Sequence, residues 1–357
     1  MASGEIDRRA FIRTCALGAA GIAIIGSGGL LAACGNNSKK KAAAGSLGAL
    51  DFQLSWIKNV EFAAEYVADT KGYYTAEGFS SVNLMSGGPS VQQDSVVGSG
   101  KAFIGISAPD IAAPSINAGN PIVAVGAQYQ KNPFCIMSLA DSPIKTPQDL
   151  VGKRMGVQAV NLPIWQAFIK ANKIDEKSVK VETVGFDTAP LVQKTVDGWI
   201  AFITNEPNEL KTKGIDTYTM LLNDHGYPLV SEIYIVRKES IIKDREKIKA
   251  VLRADIKAWH ECLKDPALPA TLAATKYGKD NGLDAAEQTL ESKAQNQLVL
   301  TDDTKTNGLF TVTDKLVDET IATLHLAGIA MTKEKLFDLS LISEVYDENP
   351  DLKKSPV

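Results

Sequence analysis

Hydrophobic and polar positions change their period repeatedly along the chain, and each change marks an element. Short apolar runs rich in β-branched and aromatic residues predict strands at 52–56, 81–85, 102–107 and 121–128. Between them, 62–71, 90–97 and 111–117 carry apolar residues at helical spacing, with Gly72, Gly98 and Gly119 where such helices would stop. A second set follows, with strands at 154–157, 179–184 and 199–203 and helices at 163–171, 189–196 and 208–213. After one more strand at 232–236, the segments 243–264, 269–277, 284–294 and 311–327 are all helical. Strands alternating with helices predict an α/β fold built on parallel sheets, here two βα lobes and a helical C-terminal region. Two short strands, 135–139 and 233–236, are flanked by polar residues or proline and are expected to take the chain out of the first lobe and back, a two-stranded hinge. The expected division is 50–135 with 236–357 for lobe 1, and 136–235 for lobe 2.

The N-terminus has a different pattern. Arg8-Arg9-Ala10-Phe11-Ile12-Arg13 sets paired arginines before an uncharged run, 16–33, and resembles a twin-arginine export motif. Gly18, Gly21, Gly26, Gly28 and Gly29 make that run a poor permanent span. It ends in Leu31-Ala32-Ala33-Cys34-Gly35, which resembles a lipobox, so 1–33 reads as a signal peptide and Cys34 as a lipidated N-terminus that ties the protein to the outer face of the membrane. Residues 34–49, in which 36–48 hold Ser38, three lysines and three alanines, lack apolar periodicity and read as a flexible tether, and the folded part is expected to start near Leu50.

Composition narrows the function. The net charge of −4 becomes slightly more negative once the leader is removed, which argues against nucleic acid as a partner. Cys135 and Cys262 remain in the folded part, each in an apolar context that predicts a buried free thiol rather than a disulfide. His225, His260 and His325 lie too far apart to suggest a metal site, and no cofactor motif is present. A nucleophile elbow, a phosphate loop and a His-Glu-x-x-His helix are all missing, so a binding role is expected over an enzymatic one.

Local strings carry a resemblance. The segment 142–157, Ser-Pro-Ile-Lys-Thr-Pro-Gln-Asp-Leu-Val-Gly-Lys-Arg-Met-Gly-Val, resembles the entry into the second lobe of type II periplasmic-binding proteins. Val196 to Pro207, and Trp56-Ile57-Lys58-Asn59 with Tyr66-Val67-Ala68 and 72–79, are similar to binders of thiamine pyrimidine precursors and their relatives. The resemblance spans about 50–340 and implies a two-lobed solute-binding protein that delivers a small molecule to the permease of an ABC importer. Relatives of this family bind pyrimidines, riboflavin, sulfonates, taurine or nitrate. Others are hydroxymethylpyrimidine synthases with a cysteine-rich motif, for which this chain offers only Cys135.

In such sheets the carboxyl ends of strands and the N-termini of following helices meet on one edge, where a ligand sits between lobes. That rule selects Trp56, Asn59, Gly87, Gly88, Ser107, Asp110 and Gln128 in the first lobe. In the second it selects Gln158, Asn161, Phe186, Asp187, Asn205 and Glu206, with Trp165 in the helical turn after a site loop. Each has a structural alternative: Trp56 and Trp165 as core, the glycines as a plain turn, Asp187 as a helix cap, and Glu206 as a helix start before Pro207. Asp110, Asp187 and Glu206 are acidic and Lys58 is the basic neighbour, which favours a neutral or amino-bearing nitrogen heterocycle, such as a thiamine pyrimidine precursor or a riboflavin-like compound, over a sulfonate, taurine or nitrate.

Overall fold

A computed structural model of the chain describes residues 45–354. The leader, Cys34 and the tether up to residue 44 lie outside the described residues, and the first strand begins at Gly48, just ahead of Leu50. Ten strands follow in order: β1 (Gly48–Gln53), β2 (Phe79–Met85), β3 (Ile104–Ser107), β4 (Ile122–Tyr129), β5 (Phe134–Leu139), β6 (Arg154–Gln158), β7 (Lys180–Val184), β8 (Gly198–Phe202), β9 (Thr217–Leu221) and β10 (Ser231–Arg237). They form two five-stranded sheets, β2-β1-β3-β10-β4 and β7-β6-β8-β5-β9. Each sheet is parallel across its first three strands and takes its fourth strand antiparallel, β10 in one and β5 in the other.

The two lobes thus share one topology, and the strands expected to act as linkers are the antiparallel members of the sheets. The chain crosses between sheets just outside them, in the short stretch 130–133 and in 222–230. The reason lies in burial: β5 and the Ile233–Val236 run of β10 are largely apolar and buried, so they gain more inside a sheet than strung between two. Strand β9, Thr-Tyr-Thr-Met-Leu, sits at an edge with half its residues wet, and its weak apolar signal hides it from a periodicity search. At the opposite edge β7 is also half exposed, and a Lys180–Glu182 ion pair at 2.7 Å covers it with charge.

The long helix Arg245–Lys264 lies against the helix Ala63–Thr70 of the first lobe and buries Ile248, Val251, Leu252, Ile256 and Trp259. Beneath it Trp259 Nε1 donates to Gln128 Oε1 at 2.7 Å, and Gln128 Nε2 donates to Glu65 Oε1 at 3.0 Å. Gln128 is therefore held in the core under this helix and not at a ligand. The helix Ala285–Val299 packs on the first lobe and also meets the second-lobe helix Glu206–Thr212. Elsewhere the lobes share apolar surface: Ile122, Ala124 and Ile233 belong to the same buried cluster as Ile136, Met155 and Trp165. Trp165 is 0 % exposed there, so its core role wins over the cleft role. Among the described residues no helix is long and apolar enough to cross a membrane.

Candidate ligand-binding cleft

Where the strand ends of the two sheets face each other, two chambers adjoin. The inner one is a slot with a free volume of about 40 Å³, and the outer one holds about 400 Å³. Trp56, Asn205 and Glu206 line both, so these three residues form the passage between them.

The inner walls are built by short turns at strand ends. Ser55 and Trp56 follow β1, and the turn is clamped from the side by the loop after β2, where Gly87 N–H donates to Trp56 O at 2.9 Å. A Cβ at Gly87 would stand 2.5 Å from the Ser55 carbonyl carbon, so only glycine allows this approach. Ser55 Oγ donates to Glu61 Oε1 at 2.9 Å and lies 3.3 Å from Glu232 Oε2. Glu61 is set by Asn59, whose Oδ1 accepts from Glu61 N–H at 3.2 Å. Glu232 enters β10 at a φ of +48°, a left-handed conformation that a non-glycine residue holds at a cost on the order of 1–3 kcal/mol. From the second lobe come Asn161 and Val160, Asn205, and Glu206 at the start of its helix, where Glu206 Oε2 accepts from Phe202 N–H at 2.9 Å. Phe134, Phe202, Ile111 and Ile200 complete the apolar part of the slot.

This wall is rich in carboxyl groups taken out of water. Burial pushes Glu61 up to about 7 and Glu206 up to about 8, and it holds Glu232, beside Glu61, well above the usual carboxylate range. Ionised, such a group accepts from N–H or O–H donors; protonated, it accepts and also offers one O–H donor.

The outer chamber is closed by three elements. Asn59 and Ile57 come from the first lobe, Phe186, Asp187, Glu209 and Lys213 from the second, and Asp284, Glu287, Gln288 and Glu291 from the helix Ala285–Val299 and the residue that caps it. Asp187 does cap its helix, accepting from Ala189 N–H at 2.9 Å, while also lining the chamber. Lys213 is ion-paired with Glu209. Phe186, 46 % exposed, stands at the mouth.

Of the residues selected from sequence, the structure brings Trp56, Asn59, Ser107, Asn161, Phe186, Asp187, Asn205 and Glu206 to the two chambers. Gly87 and Gly88 instead shape the turn behind Trp56. Gln158 supports the wall: its Oε1 accepts from Asn161 Nδ2 at 3.0 Å and its Nε2 donates to Ile200 O at 3.1 Å. Asp110 is buried and accepts from Tyr227 OH at 2.9 Å, at the second crossing, and Gln128 and Trp165 are core. Sequence reasoning missed Ser55, Glu61, Gln93, Phe134, Phe202 and Glu232 of the inner slot, and Glu287 and Glu291 of the outer chamber. Ser55 adjoins a selected residue and could have been found. Phe134 and Glu232 sit on the antiparallel strands, outside the rule for parallel strand ends, and nothing in the C-terminal helical pattern points at a cleft.

Comparison with known proteins decides the family. The family described as NMT1/THI5 like matches residues 59–268. The chain belongs to the NMT1/THI5-like family. Within this range of relatives it is 27 % identical over 219 residues to the riboflavin-binding protein RibY of Chloroflexus aurantiacus, which covers 60 % of this chain and 62 % of that protein. The match thus spans less than two thirds of that relative. It is 26 % identical over 257 residues to a formylaminopyrimidine-binding protein of Halalkalibacterium halodurans, covering 70 % and 77 %. A 4-amino-5-hydroxymethyl-2-methylpyrimidine phosphate synthase of Legionella pneumophila is 25 % identical over 206 residues, covering 56 % and 65 %. Among solved structures, the ligand-binding component of an ABC-type import system from Staphylococcus aureus superposes with a TM-score of 0.62 at 12 % identity, covering 84 % and 99 %. A Candida albicans gene product described as having the generic periplasmic-binding-protein structural fold gives 0.57 at 15 %, covering 83 % and 94 %. This NMT1/THI5-like chain therefore has the two-lobed α/β periplasmic-binding-protein fold.

Proposed function

We propose that this protein is the extracytoplasmic solute-binding component of an ABC importer and takes a small nitrogen heterocycle, of the pyrimidine-precursor or flavin kind, between its lobes. The observation that carries the reading is the cleft's chemistry. Trp56 offers a ring face at the passage between chambers, and Glu206 and Asn205 beside it offer acceptors to the edge of a ring bearing amine or imide N–H groups. Lys213 is the one basic side chain among the described residues lining either chamber, and it is already paired with Glu209. A sulfonate or nitrate would find no free cation in the slot, only carboxyls that burial holds towards their neutral form, so its charge would go unpaired where water is excluded. The relatives that bind riboflavin and formylaminopyrimidine support the heterocycle.

The ligand enters as the lobes separate at 130–133 and 222–230, and it is held as they return. Lobe 1 then comprises the first sheet with the C-terminal helices, and lobe 2 the second sheet. A synthase reading has little to act through, since Cys135 is buried within β5 and lines neither chamber, and burial with the nearby Glu206 pushes its thiol far above the reactive range. Export by the paired arginines and lipidation at Cys34 would keep the receptor beside its permease.

Native mass spectrometry followed by a thermal-shift panel of pyrimidines, flavins, taurine, alkanesulfonates and nitrate tests the assignment. A heterocycle is expected to raise the melting temperature by mass action. Stabilisation by the anions alone would reverse the choice of ligand.

A further inference from the structure

Asparagine followed directly by glycine occurs twice among the described residues, at Asn281-Gly282 and Asn307-Gly308, and the fold treats the two pairs in opposite ways. The dipeptide has a chemistry of its own. The backbone nitrogen after an asparagine can attack the side-chain amide carbon, and glycine, with no Cβ, leaves that approach unhindered. What decides whether it reacts in a folded chain is the freedom of that nitrogen.

At the second pair the nitrogen is fixed. Asn307 ends the helix Asp302–Asn307, and Gly308 N–H donates to Thr304 O at 2.8 Å. Gly308 is buried against the Tyr346 ring with no room for a Cβ, and Tyr346 OH donates to Leu309 O at 2.9 Å. The first pair stands in the open. Asn281 ends a single 3-10 turn, Lys279–Asn281, tied by Asn281 N–H to Gly278 O at 2.8 Å. Gly282 is exposed, a Cβ there would meet nothing within 4 Å, and its N–H donates to no acceptor among the described residues. The Asn281 side chain is held by one long hydrogen bond, Nδ2 to Lys58 O at 3.4 Å. A turn with so few ties opens at a cost far below that of global unfolding. Its position gives the reaction a consequence: Asn281 and Gly282 line the outer chamber, and Gly278 packs on Lys58 O, beside the turn that carries Trp56 and Asn59.

We propose that Asn281-Gly282 is a site of spontaneous deamidation, and that its conversion releases the turn at Lys58 from this wall of the outer chamber. The Gly282 nitrogen gives its proton to a solvent base and attacks Asn281 Cγ. The new C–N bond closes a succinimide ring as the Cγ–Nδ2 bond breaks, and ammonia leaves with a proton taken from water. Water then opens the ring. Cleavage at Cγ gives aspartate, and cleavage at the main-chain carbonyl gives isoaspartate, whose chain runs on through Cγ. The net exchange is ammonia out and water in, with no change of oxidation state. Both products lose the Nδ2 donor to Lys58 O; aspartate sets a carboxylate oxygen there instead, and isoaspartate adds a methylene to the main chain shortly before Asp284, which caps the helix Ala285–Val299 through Ala286 and Glu287 N–H. The inference does not depend on which ligand the cleft takes.

The test ages the purified protein at mildly alkaline pH and follows its peptides by mass spectrometry, which reads the gain of water for ammonia. Labelling by an isoaspartyl methyltransferase counts the isoaspartate. In the folded protein the Asn281 peptide is expected to convert at least about tenfold faster than the Asn307 peptide, and in denaturant the two rates should agree within about threefold. Asn281→Gln, whose longer side chain would have to close a larger ring, should abolish conversion at that position. No conversion at Asn281, or equal rates at the two pairs in the folded protein, overturns the site. Hydrogen exchange reads the release of the turn: the amides of residues 57–59 should exchange at least about threefold faster in aged than in fresh protein, and equally in aged and fresh Asn281→Gln. Unchanged exchange there after conversion overturns the release.

Discussion

Two tryptophans chosen by the same sequence rule end in opposite roles. Trp56 stands at the passage between chambers, whereas Trp165 is fully enclosed in the cluster shared by the lobes. Trp56→Ala should therefore lower ligand affinity at least about tenfold with a modest change in melting temperature, and Trp165→Ala should cost about 3–5 kcal/mol of stability by leaving a cavity. Calorimetry and denaturant titration of both variants check this pair of outcomes. The carboxyls make a second prediction. Glu61, Glu206 and Asp110 take folded values of about 7, 8 and 6, all raised by burial, against about 4 in an unfolded chain. The folded state thus holds protons that the unfolded state has lost. Their stabilising contribution is complete below about pH 4 and drains away as pH rises through the folded values toward 8. The melting temperature should fall between pH 5 and pH 8.5, and Glu206→Gln should flatten that slope while keeping the acceptor for Phe202 N–H.

The turn Ser55–Trp56, the loop at Gly87 and the helix Ala285–Val299 are the elements that shape the cleft. A Cβ at Gly87 meets backbone, which cannot swing aside, so Gly87→Ala must displace either the loop or the Trp56 turn. We expect it to cost about 1–3 kcal/mol and to weaken ligand binding as well, whereas Gly185→Ala, with nothing within 4 Å of the added carbon, should change stability little. Thermal melts with and without ligand separate the two effects. The helix Ala285–Val299 draws its position from contacts on both sides of the cleft, against the first lobe and against Glu206–Thr212. Its inward face is polar, with Glu287, Gln288, Glu291, Ser292 and Gln295 buried, which is the reverse of an ordinary amphipathic helix and marks a wall facing polar work.

At the scale of the whole molecule, the proposed closure would turn on the two short crossings between the sheets, 130–133 and 222–230. Ligand contacts from the second lobe should drive it, because an equilibrium shifts only by differential affinity for its two states. Ligand is expected to reduce the radius of gyration in X-ray scattering, and Glu206→Ala should suppress that change more than a distal substitution such as Lys180→Ala. Apart from β9 and the in-sheet place of β5 and β10, the order of strands and helices and the helical C-terminal region were legible in the sequence, because alternation of period is a local property of neighbouring residues. So were Trp56, Asn59, Asn205 and Glu206, which follow parallel strands where a general rule places ligands. Glu232, Phe134, Glu287 and Glu291 were not, since their place at the cleft comes from an antiparallel strand pairing and from a helix folded back over a distance of more than 200 residues from Asn59. Gln128 and Trp165 were assigned to the cleft by position along the strand or helix, and only packing decided that they face the core. Periodicity tells which residues form an element, but which side of it meets a ligand depends on what packs against the other side, and that is settled only when distant segments meet.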